Sequence, residues 1–216
     1  MRPHVVAQLA VSIDGATTGF EADQARFYAM ATLWQEDVTL VGADTILAQD
    51  SAVRTAPKPG PRPDGPLLAV VDSRHRVHNL DALRELGYWS DVLALYCDQT
   101  PARAPDSTTK ELVTGYDRID LAETLTLLGR QGAKVVRVDS GGTLIGALLD
   151  QELIDELALL IHPVVVGHGP YWHDFFTTPL DLSLANAETF HPGLTWLRYC
   201  IAGGPLEEGE TVGGDG

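Results

Sequence analysis

Short runs of apolar, β-branched residues alternate with amphipathic segments along most of the chain. Such runs are typical of strands that are buried on both faces of a sheet. They predict strands at 5–13, 38–41, 67–71, 92–97, 111–113, 134–138, 157–166 and 194–201. Helices are predicted between them at 21–34, 44–48, 81–86, 121–130 and 142–149. This alternation predicts an α/β domain with a mostly parallel central sheet flanked by helices.

Two segments are predicted to lie outside regular structure. Residues 51–66 contain five prolines and two glycines, which predicts a loop across the surface rather than a helix or a central strand. The end of the chain, 203–216, is acidic and rich in glycine, which favours a disordered tail. We therefore expect one domain over 1–202, followed by that tail.

The charge of the chain limits its partners. It has 15 Lys and Arg against 30 Asp and Glu, a formal net charge of −15 over 216 residues. A uniformly acidic surface repels nucleic acid, because affinity for a duplex comes mainly from Lys and Arg on phosphates. We expect a small-molecule substrate and no nucleic acid, and an anionic small molecule would need a locally basic pocket.

The sequence also indicates the compartment. No window approaches 18 consecutive apolar residues, and 1–10 has no cleavage-site pattern, so we expect a cytoplasmic protein without a membrane span. Two reduced thiols at Cys97 and Cys200 are favoured over a disulfide. His162, His168 and His173 lie in a segment rich in proline and glycine without helical metal-ligand spacing, so no metal is expected.

Polar residues and glycines follow four of the predicted strands. In an open α/β sheet, the ligand crevice lies beyond the carboxyl ends of the strands. The residues at these ends are Asp14 and Gly15, 42–45, Asp72 and Ser73, and 139–143. Topology alone therefore points to these groups as the candidate site.

The most informative local motif is the loop at 139–143. A strand runs into Asp139-Ser140-Gly141-Gly142, and a helix begins near Thr143. The free N–H groups and the dipole of a helix N-terminus favour an anionic guest such as a diphosphate. The spacing is neither that of a dinucleotide fingerprint nor that of a P-loop, which needs Lys at the position of Ala147. A tight strand–helix turn with a packing role is the alternative.

Four segments in order resemble one family. They are VSIDG (11–15), DVTLVGADTI (37–46), AVVDSRHRV (69–77) and the long stretch from VDSGGTL to VVVGHG (138–169). Together they resemble the reductase domain of riboflavin-biosynthesis deaminase-reductases. That family implies a dihydrofolate-reductase-like fold, a homodimer, and NADPH-dependent reduction. The reaction it implies converts the ribosylamino side chain of a phosphorylated aminopyrimidine to ribitylamino.

The resemblance also assigns residues. Thr45 and Ser73 fall on cofactor positions, and Asp139 takes the place of the acidic residue that faces the substrate. The diphosphate positions are Gly141, Gly142, Thr143 and Leu144. Independently of the family, Arg74 and Arg76 could neutralise a 2′-phosphate through charge-assisted hydrogen bonds. Alternatively, both are solvated surface arginines.

Two positions depart from the family pattern. Gln49 stands where an active-site aspartate is expected, and an amide cannot carry a proton as a carboxylate does. Leu33 occupies the neighbourhood of an arginine that meets the substrate phosphate, and Arg54 is the nearest alternative. Trp34 could stack on a planar heterocycle, or could belong to the core.

These departures shape the catalytic prediction. Asp50 and Asp139 are the candidate acids, with Gln49 as a positioning group, although each carboxylate could instead be a surface group or a helix cap. Three functions remain open. They are the riboflavin-pathway reductase, an NADPH-dependent reductase acting on a pteridine-like or specialised-metabolism substrate, and a non-catalytic nucleotide-binding homologue.

Overall fold

The computed structural model describes residues 1–101, 109–173, 176 and 179–201. Within them, nine strands form one sheet in the order β5-β4-β3-β2-β6-β1-β7-β9-β8. The strands are β1 (His4–Ser12), β2 (Val38–Gly42), β3 (Leu67–Val71), β4 (Asp91–Tyr96), β5 (Lys110–Val113), β6 (Val135–Val138), β7 (Glu156–His162), β8 (Leu182–Phe190) and β9 (Leu194–Ile201). The pairs from β5 to β7 are parallel, and β9 is antiparallel to both β7 and β8. The predicted mostly parallel sheet is confirmed.

Helices cover both faces of this sheet. They are α1 (Gln24–Ala31), α2 (Ala43–Ala48), α3 (Asp50–Thr55), α4 (Leu80–Arg84), α5 (Leu121–Arg130) and α6 (Gly142–Asp150). Leucines of α5 and α6 pack on one face against alternate residues of β1, β2 and β6. Helices α2 to α4 cover the other face near β3 and β4, while α1 packs near β7 and β9. Each fully buried Leu or Val contributes about 1.5–3 kcal/mol of transfer free energy.

The prediction of a loop throughout 51–66 is wrong for its first residues. Helix α3 begins at Asp50 and ends at Thr55, and Val53 is buried among α2 and α4 residues. The prolines that suggested a loop begin only at Pro57. Ala56 is already extended, with ψ at 148°, so one helical turn fits before the prolines.

Strand β8 has no counterpart among the predicted elements. Its residues are exposed or half-buried on both faces, so the sequence LSLANAETF has no apolar run to reveal it. It forms by pairing with β9 across a tight turn at 191–193. The predicted strand at 157–166 ends earlier, at His162, because Pro163 has no N–H to continue the ladder. The predicted tail at 203–216 lies outside the described residues.

Candidate active site at the carboxyl edge of the sheet

The loop after β6 is joined to the helix after β2 through one serine. The Ser140 hydroxyl accepts a hydrogen bond from the Gly42 backbone N–H at 3.2 Å and lies 3.2 Å from Thr45 Oγ1. A Cβ at Gly42 would lie 3.0 Å from that same hydroxyl oxygen, which explains the glycine. The structure therefore brings Thr45 and the glycine loop together, as the topology predicts.

The N-terminus of α6 is open on one side. Gly141 is its extended N-cap. Among the described residues, no side chain caps the helix and no heavy atom lies within 4 Å of the Cβ position of Gly141. Gly142 is covered instead, since a Cβ there would lie 2.8 Å from the Tyr171 carbonyl oxygen. Thr143 is exposed and Leu144 is buried. A helix start without a side-chain cap leaves backbone N–H groups that an anion can accept from.

Two loops next to the start of α6 are hydrogen-bonded to each other. Asp14 accepts hydrogen bonds from the Ser12 hydroxyl at 2.6 Å and from the N–H groups of Gly167 and Val166 at 2.7 and 3.1 Å. These bonds, that of Ser12 first, lower the pKa of Asp14 to about 2. The Trp172 N–H donates to the Gly15 carbonyl at 3.1 Å. The 12–17 loop is thus fixed to the 166–172 segment.

A buried histidine holds the start of α1. His162 Nε2 accepts a hydrogen bond from the Asp23 N–H at 2.9 Å, and Asp23 is the N-cap of α1. Its Nδ1 faces the carbonyls of Val11 and Leu160 at 3.3 and 3.2 Å, so a proton on Nδ1 satisfies both sides of the ring. Neither it nor any other described residue belongs to a group of three or more His, Cys, Asp or Glu placed to hold a metal ion.

Asp139 is held by a buried arginine that the sequence analysis does not single out. Arg137 Nη1 donates to Asp139 Oδ2 at 3.1 Å and to Gln8 Oε1 at 3.2 Å, and its Nε donates to Glu36 Oε1 at 2.8 Å. Only 4% of Arg137 is exposed. Burial lowers the pKa of Arg137, but the carboxylates of Asp139 and Glu36 outweigh it and raise that pKa. Asp139 is therefore fixed by a buried arginine while its own side chain stays partly exposed.

A tyrosine on α1 belongs to the same region. Desolvation, followed by the negative charge of Asp139, raises the pKa of Tyr28 to about 12. About half of the Tyr28 side chain is exposed. Its phenol therefore stays protonated at neutral pH. Nothing in the spacing of α1 marks this residue in the sequence.

The turn after β3 carries the predicted 2′-phosphate arginines. Asp72 Oδ2 accepts hydrogen bonds from the N–H groups of Arg76 and Val77 at 2.7 and 2.8 Å, which fixes the turn. The Arg76 guanidinium pairs with Asp44 at 2.7 Å, while Arg74 is exposed. The Ser73 carbonyl accepts a hydrogen bond from Thr100.

Asp50 and Arg54 are engaged with each other. Asp50 accepts from Arg54 Nε and from Asn79 Nδ2, both at 2.7 Å, and the Arg54 hydrogen bond is the main cause that lowers the pKa of Asp50. The three side chains line a cavity of about 120 Å³ beside Arg76. Gln49, between α2 and α3, is exposed. Asp50, Arg54 and Asn79 therefore lie next to the turn that follows β3.

Trp34 and Leu33 are not brought to this edge. Helix α1 runs back along the sheet, so both residues follow its far end. Trp34 Nε1 donates to Glu156 Oε1 at 3.2 Å, and Glu156 is the first residue of β7. The Trp34 ring also meets Trp196 edge-on, with ring centres 6.3 Å apart. These residues lie at the amino end of the strands, opposite the glycine loop.

This arrangement of strands and helices defines an α/β protein with a dihydrofolate-reductase-like fold. Enterococcus faecalis dihydrofolate reductase superposes with a TM-score of 0.51 at 10% identity, covering 92% of this chain and 96% of that one. A pyrimidine reductase-like protein from Corynebacterium diphtheriae superposes with a TM-score of 0.70 at 19% identity, covering 92% of both chains. The family model of the RibD C-terminal domain matches residues 3–196, and the chain belongs to that family.

A curated relative covers most of the same region. The 2,5-diamino-6-ribosylamino-4(3H)-pyrimidinone 5′-phosphate reductase of Archaeoglobus fulgidus is 30% identical over an alignment of 183 positions, and the match covers 77% of this chain and 83% of the relative. The family is one of reductases, which implies a nicotinamide cofactor. No helix in the described part of the chain has the length and apolar character to cross a membrane.

The residues at the edge fit such a cofactor. The uncapped start of α6 offers backbone N–H groups to a diphosphate. Asp72 is 3% exposed, and its Oδ1 has no hydrogen-bond partner among the described residues. Because this oxygen is itself buried, Asp72 shapes the edge by fixing the 72–77 turn through its other oxygen.

Proposed function

We propose that this protein is the riboflavin-pathway reductase that converts the ribosylamino side chain of a phosphorylated aminopyrimidine to ribitylamino, with NADPH as cofactor. The observation that carries the proposal is the uncapped start of α6 directly after Asp139, at the edge where β2 and β6 end. The name of the Archaeoglobus relative supports the substrate class.

In this proposal, the cofactor lies along the β6, β2 and β3 ends. Gly141, Gly142, Thr143 and Leu144 supply backbone N–H groups to its diphosphate. Thr45 and Ser73 contact its sugars, and Arg74 and Arg76 meet the 2′-phosphate. NADPH supplies the hydride when bound. The joined 12–17 and 166–172 segments exclude water from the reacting atoms.

Asp139 is the proposed substrate contact. Arg137 engages Asp139 Oδ2, and 23% of the Asp139 side chain remains exposed. Its free oxygen can accept a hydrogen bond from an amino group of the pyrimidine. Asp50 and Gln49 also remain proposed catalytic groups. With its lowered pKa, Asp50 is an acceptor at neutral pH rather than a proton donor.

The pairing of site arginines with carboxylates suggests a second candidate function, because it affects how a substrate phosphate would bind. Arg137, Arg54 and Arg76 each pair with a carboxylate within the described part of the site. A substrate phosphate would have to compete with these carboxylates for the cation, which weakens its binding. This pairing favours a reductase of a non-phosphorylated heterocycle as the alternative, with the same fold and cofactor.

Steady-state loss of NADPH absorbance tests both functions. The assay compares the aminopyrimidine 5′-phosphate, its dephosphorylated form and dihydrofolate. We expect the phosphorylated compound to have the highest kcat/KM, and Asp139→Asn to lower that kcat/KM about 10- to 100-fold, the scale of a lost hydrogen bond to a charged group. Asp150→Asn, at the far end of α6, is the matched control. Turnover only of a non-phosphorylated compound would favour the second function, and NADPH binding without turnover would contradict both.

We further propose a cytoplasmic homodimer built from one domain over 1–202. Leu182 and Leu184 of β8 are 37% and 59% exposed and pair with Ile201 and Tyr199 of β9, so the four side chains share one face. A second copy covering this face would remove it from water. Cys97 and Cys200 are free thiols, which suits a reducing compartment. Sedimentation equilibrium of the wild type and Leu184→Glu measures the assembly, with a dimer expected only for the wild type.

A further inference from the structure

An exposed aspartate stands at the point where the adenosine end of the cofactor would lie. Asp44 is in the first turn of α2, and its Oδ1 lies 2.7 Å from Arg76 Nη1. The Asp44 side chain is 76% exposed and that of Arg76 is 40% exposed. The Arg76 backbone is fixed by the Asp72 carboxylate, so only its guanidinium can move.

The sheet order sets the distance of this pair from the glycine loop. β2 lies next to β6, and β3 lies next to β2. Adjacent strands are about 4.8 Å apart, so the turn after β3 lies about 10 Å along the edge from the loop after β6. A diphosphate at Gly141 leaves the attached ribose within reach of the turn at 72–76. Beyond β6 in the other direction, the end of β1 is covered by the joined loops.

We infer that Asp44 sets the preference of this protein between NADPH and NADH. The inference rests on the proposed function. The Asp44 carboxylate and a 2′-phosphate would compete for the same Arg76 guanidinium, and the two anions repel each other. A carboxylate near the ribose hydroxyls is also the feature that favours NADH in other dinucleotide sites. Exposed ion pairs contribute little stability, so a phosphate can displace this one.

The alternative role of Asp44 is local. An acidic side chain in the first turn stabilises a helix through its dipole, whichever cofactor is bound. That role predicts equal effects on NADPH and NADH. The competition predicts an effect on NADPH alone, which is larger while Arg76 is present because the direct repulsion of the two anions is all that remains without it. A double-mutant cycle separates the two.

The test measures dissociation constants for NADPH and NADH in the absence of substrate, by quenching of tryptophan fluorescence and by calorimetry. Asp44→Asn keeps the size of the side chain and removes its charge. We expect it to tighten NADPH about fivefold, the upper end for one charge contact at an exposed site, and to leave NADH within about twofold. Arg76→Ala weakens NADPH alone, and adding Asp44→Asn to it tightens NADPH by a smaller factor than in the wild type, because only the direct repulsion is relieved.

A matched control removes the same charge elsewhere. Asp64 is 80% exposed and pairs with Arg62 at 3.3 Å, in the loop before β3 at the opposite end of the sheet. Asp64→Asn should leave the NADPH to NADH ratio unchanged, which excludes an effect of net charge. An unchanged ratio of NADPH to NADH affinity in Asp44→Asn, or an equal gain for both cofactors, would overturn the inference and leave the proposed function standing. Failure of the wild type to bind either dinucleotide would overturn the proposed function, and the inference with it.

Discussion

The two sides of the carboxyl edge are built differently. On the β1 and β6 side, Arg137 is 4% exposed and has three side-chain partners, and the loop at Asp14 is fixed by three hydrogen bonds. On the β3 side, Arg76 and Arg54 are substantially exposed, and each has one carboxylate partner within the described residues. The first side has a fixed geometry, which suits the reacting groups. The second can exchange its partners, which suits recognition of a bound anion.

The largest effect is expected from breaking the buried pair. Arg137→Met leaves Glu36 and Asp139 without their cation, and removing one partner of a buried ion pair costs about 3–5 kcal/mol. Urea denaturation should show this loss in the free energy of unfolding. Arg76→Met removes the same group from the exposed pair and should cost less than about 1 kcal/mol. Similar losses for the two variants would remove the contrast between the two sides.

The second-largest loss of stability is expected at Gly142, where the backbone of Tyr171 and Trp172 covers the start of α6. In Gly142→Ala, the new Cβ would lie 2.8 Å from the Tyr171 carbonyl oxygen, so the covering segment must move. Overpacking of this kind costs about 1–3 kcal/mol. Gly141→Ala is the matched control, because nothing lies within 4 Å of its Cβ position. If both variants melt at the wild-type temperature, the backbone of Tyr171 and Trp172 does not pack tightly against Gly142.

The smallest effect depends on pH. The pKa of Asp14 is about 2 in the folded protein against a reference value of 3.8, so the carboxylate form stabilises the fold above that reference value. This stabilisation is lost as the pH falls from about 4 through about 2. The urea midpoint of Asp14→Asn should therefore lie below that of the wild type at neutral pH and approach it in acid. A constant difference across this range would mean that the carboxylate charge does not fix the loop.

The sequence predicted the parts of the fold that depend on local pattern. Apolar runs marked the buried strands, and the Ser140-Gly141-Gly142 sequence marked the turn between β6 and α6. Helix α3 was missed because a single buried residue, Val53, gives no periodic signal next to five prolines. Strand β8 was missed because its pairing with β9, rather than its own composition, makes it a strand.

The candidate site was predicted less completely because its contacts are distant in sequence. Arg137 meets Glu36 and Gln8 across 101 and 129 positions, and no local pattern encodes such pairs. A charge within the apolar run KVVRV was the available signal. The location of Trp34 could not be predicted for a similar reason, because its helical spacing fits both a core position and a ligand contact. Only the direction of α1 shows that it lies at the opposite end of the sheet.

A crystal structure of the protein with NADPH bound tests the central claim most directly. The account predicts the diphosphate within hydrogen-bond distance of the N–H groups of Gly141 and Gly142, with the nicotinamide beside Asp139. It also predicts the 2′-phosphate on Arg76, with Asp44 turned away. A dinucleotide bound elsewhere, or a diphosphate with no contact to the start of α6, would contradict the account.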